Sequence, residues 1–122
     1  MTEMPSSTST DCLFCKIRDG QIPATITYRD DQVLAFKDIG PKAPLHQLVI
    51  PIQHVGRLAD AVPEDAALYG RLMVTAARIA RDEGYAEPGF RVVMNSGPDA
   101  GQTVFHVHLH LLAGRPLSWP PG

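Results

Sequence analysis

The 122-residue chain has no apolar run approaching the roughly 20 residues that a membrane span needs. It also has no excess of basic charge. Lys and Arg number 11 against 13 Asp and Glu, a formal net charge of −2, which excludes the basic footprint that duplex nucleic acid demands. A single nucleotide is compatible with that balance, because one phosphate needs only a few local donors. Cysteine is scarce: Cys12 and Cys15 are the two, too few for a disulfide framework. Residues 1–10 carry neither the basic start nor the apolar stretch of an export signal. The expected compartment is therefore the reducing cytoplasm, where two thiols pose a metal, redox or packing question. Hydrophobic content of 44% is ordinary, and the length supports one core but not two. Residues 1–10, rich in Ser and Thr, are expected to form a disordered lead-in, and residues 11–122 a single domain.

Periodicity and breakers divide that domain. A short helical turn is expected over 11–17, ended by Asp19-Gly20. Strands are expected over 25–28, 33–36, 46–50, 90–95 and 104–113. Between the third and fourth strands, Leu68, Leu72, Met73, Ala76, Ile79 and Ala80 recur at helical spacing, with Pro63 suited to the start and Gly84 to the end. Strand pairs close in sequence, separated by one long helix, favour an α+β fold. The sheet would be five-stranded and mostly antiparallel, with one long helix and a short N-terminal helix.

Residues 105–112 read Phe-His-Val-His-Leu-His-Leu-Leu. In a strand, Val107, Leu109 and Leu111 would face one way, and His106, His108 and His110 the other, about 6.5–7 Å apart. Any one of these histidines reads as an ordinary sheet residue, but three in register read as a row with a shared purpose. Imidazole can ligate a metal, act as a base or nucleophile, or pair with an anion when protonated. Just upstream, Asn95-Ser-Gly-Pro-Asp-Ala-Gly101-Gln102-Thr103 combines Gly, amide and hydroxyl groups that suit an anion-binding nest, with a plain hairpin loop as the alternative. Together they suggest a phosphate held against an imidazole row.

At this point the chain resembles the histidine-triad (HIT) family. His106-x-His108-x-His110 carries the signature. Further matches are Cys12-Leu-Phe-Cys-Lys-Ile17, Ile22-Pro23, Asp31-x-Val-Leu-Ala-Phe36, Asp38-Ile39, Ala43-Pro-x-His46-x-Leu-Val-Ile-Pro51, His54 and Gly101-Gln-Thr-Val-Phe-His106. The ending Trp119-Pro-Pro-Gly122 resembles the Hint branch. The resemblance implies a homodimer whose sheet continues across the interface. It also implies hydrolysis of purine nucleoside phosphoramidates such as AMP joined to an amine. His108 matches the nucleophile, which would form a nucleotidyl-histidine that water then cleaves. His110 and His46 match residues that contact the phosphate or orient and protonate groups around it. Asn95, Gly101, Gln102 and Thr103 match the phosphate cradle, Thr103 among the catalytic groups. Asp38 matches the acceptor of both ribose hydroxyls. Phe14, Ile17, Ile22, Phe36 and Ile39 match the apolar walls of the base slot. Trp119 would approach the partner subunit's site. Thr103 stands where Ser is common, and Lys37 where some relatives carry His.

Three readings of Cys12-x-x-Cys15 stay open: a redox pair, plain packing, or a structural zinc. Some relatives resemble the third, with His54 and His106 completing the ligands. No cofactor is then required for the chemistry. The competing functions are nucleotidyl transfer to phosphate (a transferase or phosphorylase), a nucleotide-binding scaffold, and metal-dependent hydrolysis with the triad as ligands.

Overall fold

The computed structural model describes residues 11–122; the lead-in expected over 1–10 lies outside the described residues. The elements run α1 (Leu13–Arg18), β1 (Ile26–Arg29), β2 (Val33–Lys37), β3 (Leu45–Pro51), α2 (Ala66–Asp82), β4 (Phe90–Val93) and β5 (Leu109–Ala113). Single 3-10 turns lie at Leu58–Asp60, Pro63–Asp65 and Pro98–Ala100. The strands form one sheet in the order β1-β2-β3-β5-β4, antiparallel at every pairing. This is the expected α+β architecture. No described helix is long and apolar enough to cross a membrane.

The two faces of the sheet are covered by different helices, and side-chain alternation assigns the residues. Val33, Ala35, Leu45, Val49, Leu109, Leu111 and Ala113 face α2 and pack with its Leu72, Ala76, Ile79 and Ala80. Each fully buried Leu among them contributes about 1.5–3 kcal/mol. Leu34, Phe36, Leu48 and Ile50 face the other way, against Cys12, Phe14 and Cys15 of the N-terminal segment. With both faces covered, β3 is buried along its whole length. The helix stripe departs from expectation at Met73, which is 48% exposed, while Thr75 is buried. Met73 sits about 60° beyond Ala76 around the helix, at the edge of the stripe that Leu72, Ala76 and Ile79 set.

Turn chemistry joins the strands. Asp30 accepts from the backbone N–H groups of Gln32 and Val33, both at 2.7 Å, closing the β1–β2 turn. The largest difference from expectation is in β5, which begins at Leu109 and not at Val104. Upstream, the chain bends through 104–106, and its polar groups are satisfied outside the ladder. Val107 N–H donates to the Val55 carbonyl (2.7 Å), and the His106 carbonyl accepts from the His108 ring (2.7 Å). The histidine row is thus an irregular segment leading into a strand.

Candidate active site and metal cluster

On the α1 face of the sheet, a cleft of about 370 Å³ opens between α1, the end of β2 and the loop before β5. Phe14, Ile17, Ile22, Phe36 and Leu48 give it apolar walls, and Asp38, Gly101, Thr103, His108 and His110 supply its polar edge. Ile39 stands at the rim, 99% exposed. Phe14 and Phe36 meet edge to face, with ring centroids 5.4 Å apart. An apolar slot with a polar end is the shape of a small-molecule site.

The proton positions on the histidines follow from their partners, since a carbonyl only accepts and an amide N–H only donates. His108 is 6% exposed, and its Nδ1 lies 2.7 Å from the His106 carbonyl. Nδ1 therefore carries the proton, and Nε2 keeps its lone pair. Burial holds the His108 pKa below the ordinary histidine value, against opposing effects of that hydrogen bond and of Asp38. Behind it, His46 Nδ1 accepts from the Lys42 N–H at 3.0 Å, so its Nε2 carries hydrogen. That group faces His110 Nδ1 at 3.0 Å and Asp38 Oδ2 at 3.5 Å. His110 Nδ1 accepts, which leaves its Nε2–H as a donor. Burial is also the main cause that lowers the His46 pKa and brings His110 down to about 4, with His108 and His46 adding to the effect on His110. All three rings are thus uncharged near neutrality.

Two predicted residues serve the cleft from behind its walls. His46 backs His110. Gln102, 3% exposed, accepts from Gly97 N–H (2.9 Å) and donates to the carbonyls of Gly56 (2.8 Å) and Val104 (3.1 Å). Its amide ties the loop together. Gly101, at φ +97°, lets the loop turn where a side chain would meet Asn95 Nδ2 at 3.9 Å. Asn95 does not line the cleft, and Trp119 is 82% exposed in the C-terminal tail. Sequence reasoning missed the Lys42 amide and the wall residue Leu48. Leu48 was findable, lying two places past His46 on the same strand; a backbone N–H aimed at a ring has no signature in the sequence.

A second cluster lies deeper along the same face. Cys12 Sγ is 3.3 Å from His106 Nδ1, Cys15 Sγ is 3.4 Å from that atom, and Cys15 Sγ is 3.3 Å from His54 Nδ1. All four candidate ligand atoms lie within 4.8 Å of one another. Ordinary Zn–S and Zn–N bonds in a tetrahedron give S···N edges of about 3.6 Å, so little adjustment is needed. His106 is fully buried, and its Nε2–H donates to the Pro51 carbonyl at 2.8 Å. Nδ1 is left with its lone pair toward the sulfurs, an outer partner of the kind that orients metal-bound imidazoles. Cys12 and Cys15 are free thiols, and burial foremost, with Cys12 beside it, pushes the Cys15 pKa up to about 11. A cation at the centre reverses that preference. The donor set fits a structural zinc ion closed to substrate by four protein ligands.

Comparison with known proteins agrees with this geometry. The HIT domain model matches residues 19–117. The chain is 53% identical over 112 residues to an uncharacterized HIT-like protein of Synechocystis, covering 92% of this chain and 97% of the relative. A 14 kDa zinc-binding protein of Brassica juncea is 46% identical over 114 residues, covering 92% of this chain and all of the relative. Among solved structures, a HIT family hydrolase from Legionella pneumophila superposes with a TM-score of 0.89 at 47% identity, over 91% of this chain and 99% of that one. One from Clostridium thermocellum gives 0.85 at 42%, over 88% and 94%. With His108 and His110 lining an apolar cleft, His106 in the cluster behind it, and a family match over most of its length, the chain belongs to the HIT domain family.

Proposed function

We propose that the protein is a hydrolase of purine nucleoside phosphoramidates, of the Hint branch, acting through a nucleotidyl-histidine at His108. The observation that carries the reading is the buried His108 ring, with Nδ1–H held by the His106 carbonyl and Nε2 left to attack. Neutral imidazole attacks without first losing a tightly held proton, and it becomes a good leaving group once bonded to phosphorus. In the first step, Nε2 bonds to the α-phosphorus, the P–N bond breaks, and the amine leaves with a proton from solvent. In the second, water takes the place of the imidazole, releasing the nucleoside monophosphate and restoring His108.

The other residues have roles consistent with their places. Charge develops on the phosphoryl oxygens, and donors set in advance stabilise it. The His110 Nε2–H, Thr103 and the backbone around Gly101 form the polar edge of the cleft. The Gln102 amide holds that loop in shape, and Asn95 lies behind Gly101. Asp38 accepts from the ribose hydroxyls, and the slot between Phe14, Ile17, Ile22, Phe36 and Ile39 takes the base. The Cys12–Cys15–His54–His106 set holds zinc as a folding element. The edge strands β1 and β4 leave backbone groups available for a homodimer with a continuous sheet, which would bring Trp119 toward the partner's cleft. The expected setting is cytoplasmic.

The test is turnover of an adenosine 5′-phosphoramidate with the intermediate trapped by rapid denaturation at alkaline pH, where a phosphorus–imidazole bond survives. A phosphorus-labelled adduct on His108, absent in His108→Asn, supports the reading; normal turnover by His108→Asn excludes it.

A further inference from the structure

His106 is used at three points. Its Nδ1 faces both cysteine sulfurs, at 3.3 and 3.4 Å. Its Nε2–H is held by the Pro51 carbonyl. Its own carbonyl holds the Nδ1–H of His108. The segment on the other side of His108 is tied to the same cluster. Phe14 lies between Cys12 and Cys15 in the chain, and its ring meets His108 edge to face at 5.0 Å and His106 at 6.1 Å. The His108 ring is therefore gripped from two directions, and both grips end on residues that fit a metal.

We infer that Cys12, Phe14, Cys15 and His106 form a positioning clamp whose closure by the metal fixes His108 in the orientation and tautomer that present Nε2 to the cleft. The inference rests on the reading of His108 as the nucleophile. None of the four touches the reacting atoms; they are positioning residues. When bound, the metal supplies cross-linking of α1 to the segment before β5, and no bond is made or broken there. If the clamp opens, the His106 carbonyl is free to turn with its residue, Phe14 is free to move with α1, and the His108 ring gains its other tautomer. Loss of such an outer-shell support typically costs about 10–100-fold, and it falls mainly on the chemical step, with a smaller loss in binding because Phe14 also walls the base slot.

The experiment uses full-length protein with ¹⁵N-labelled histidine, loaded with one equivalent of zinc or stripped by a chelator, with circular dichroism to follow the fold. Two-dimensional ¹H–¹⁵N spectra of the imidazoles distinguish Nδ1–H from Nε2–H, and His108→Asn assigns the His108 signal. The zinc form should show a single Nδ1–H pattern at His108. The stripped form should show an averaged pattern, with kcat toward an adenosine phosphoramidate down about tenfold or more and KM raised by a smaller factor. If stripping unfolds the chain, the zinc form is compared with a form loaded with the larger cadmium ion, and a moved His108 signal with altered kcat supports the clamp. An unmoved His108 signal and unchanged kcat in folded protein overturn it, as does failure to take up one equivalent of zinc at micromolar concentration. Normal turnover by His108→Asn together with a metal-dependent His108 signal removes the nucleophile and leaves the clamp standing.

Discussion

Two clusters of similar residue types lie on one face of the sheet, and the backbone gives them opposite characters. In the Cys12–Cys15–His54–His106 group, the Pro51 carbonyl holds the Nε2 proton of His106, so a lone pair faces the sulfurs. In the Asp38–His46–His110 group, the ligand atoms are also close together, but the Lys42 amide occupies Nδ1 of His46, so a hydrogen points inward at His110. The first set is ready for a metal; the second is a hydrogen-bond relay that ends in a donor facing the cleft. Proximity of ligand-type residues does not separate the two. The identity of the backbone group behind each ring does.

The contrast can be broken most severely at the residue between the clusters. His108→Asn should lower phosphoramidate turnover by about 10⁴-fold or more, equivalent to about 5.5 kcal/mol. Nucleotide affinity measured by titration calorimetry should stay within about threefold. Next, Cys12→Ser with Cys15→Ser should abolish zinc uptake and lower stability by about 3 kcal/mol, or about 10 °C in Tm. Elemental analysis that found zinc in this double variant would mean the Asp38 cluster takes metal, and the distinction would fail. In the relay, His46→Gln and His110→Asn should each cost about 10–100-fold in kcat while melting near the parent temperature.

Acid sharpens the same point. His46 and His110 have pKa values held below the ordinary histidine range, His110 at about 4. Above pH 7 neither the folded nor the unfolded chain carries these protons. Between about 6.5 and 4 the unfolded chain takes them up and the folded chain resists, so stability falls as pH falls through that window. A Tm profile over pH 4–8 should decline toward acid, and His46→Gln with His110→Asn should flatten it. The smallest effect is expected at Arg115, whose Nε and Nη2 donate to the Lys42 carbonyl at 3.1 and 2.8 Å. Arg115→Ala should loosen the residue whose N–H orients His46 and reduce kcat by about threefold, read in steady-state assays.

The sheet and the long helix were legible because apolar spacing reports directly on which side chains share a face. Val107, Leu109 and Leu111 are buried as a set, opposite to the histidines, even though regular pairing starts only at Leu109. The bend at 104–106 was not legible. It depends on the His106 carbonyl bonding to a ring in place of a strand neighbour, and no residue type encodes that choice. For the same reason Gln102 reads in sequence as part of a phosphate loop, while its amide is turned inward onto three backbone groups. The chemistry-bearing residue types were visible; the directions in which their protons point required the fold.

Strand β3 is enclosed on both sides, with Leu48 forming part of the cleft and Val49 seated beneath the long helix. An engineer who enlarges the base slot at Leu48 and one who repacks the helix at Val49 are editing adjacent residues of a single ribbon. Substrate range and thermal tolerance in this protein should therefore change together under selection, and libraries aimed at one ought to be screened for the other.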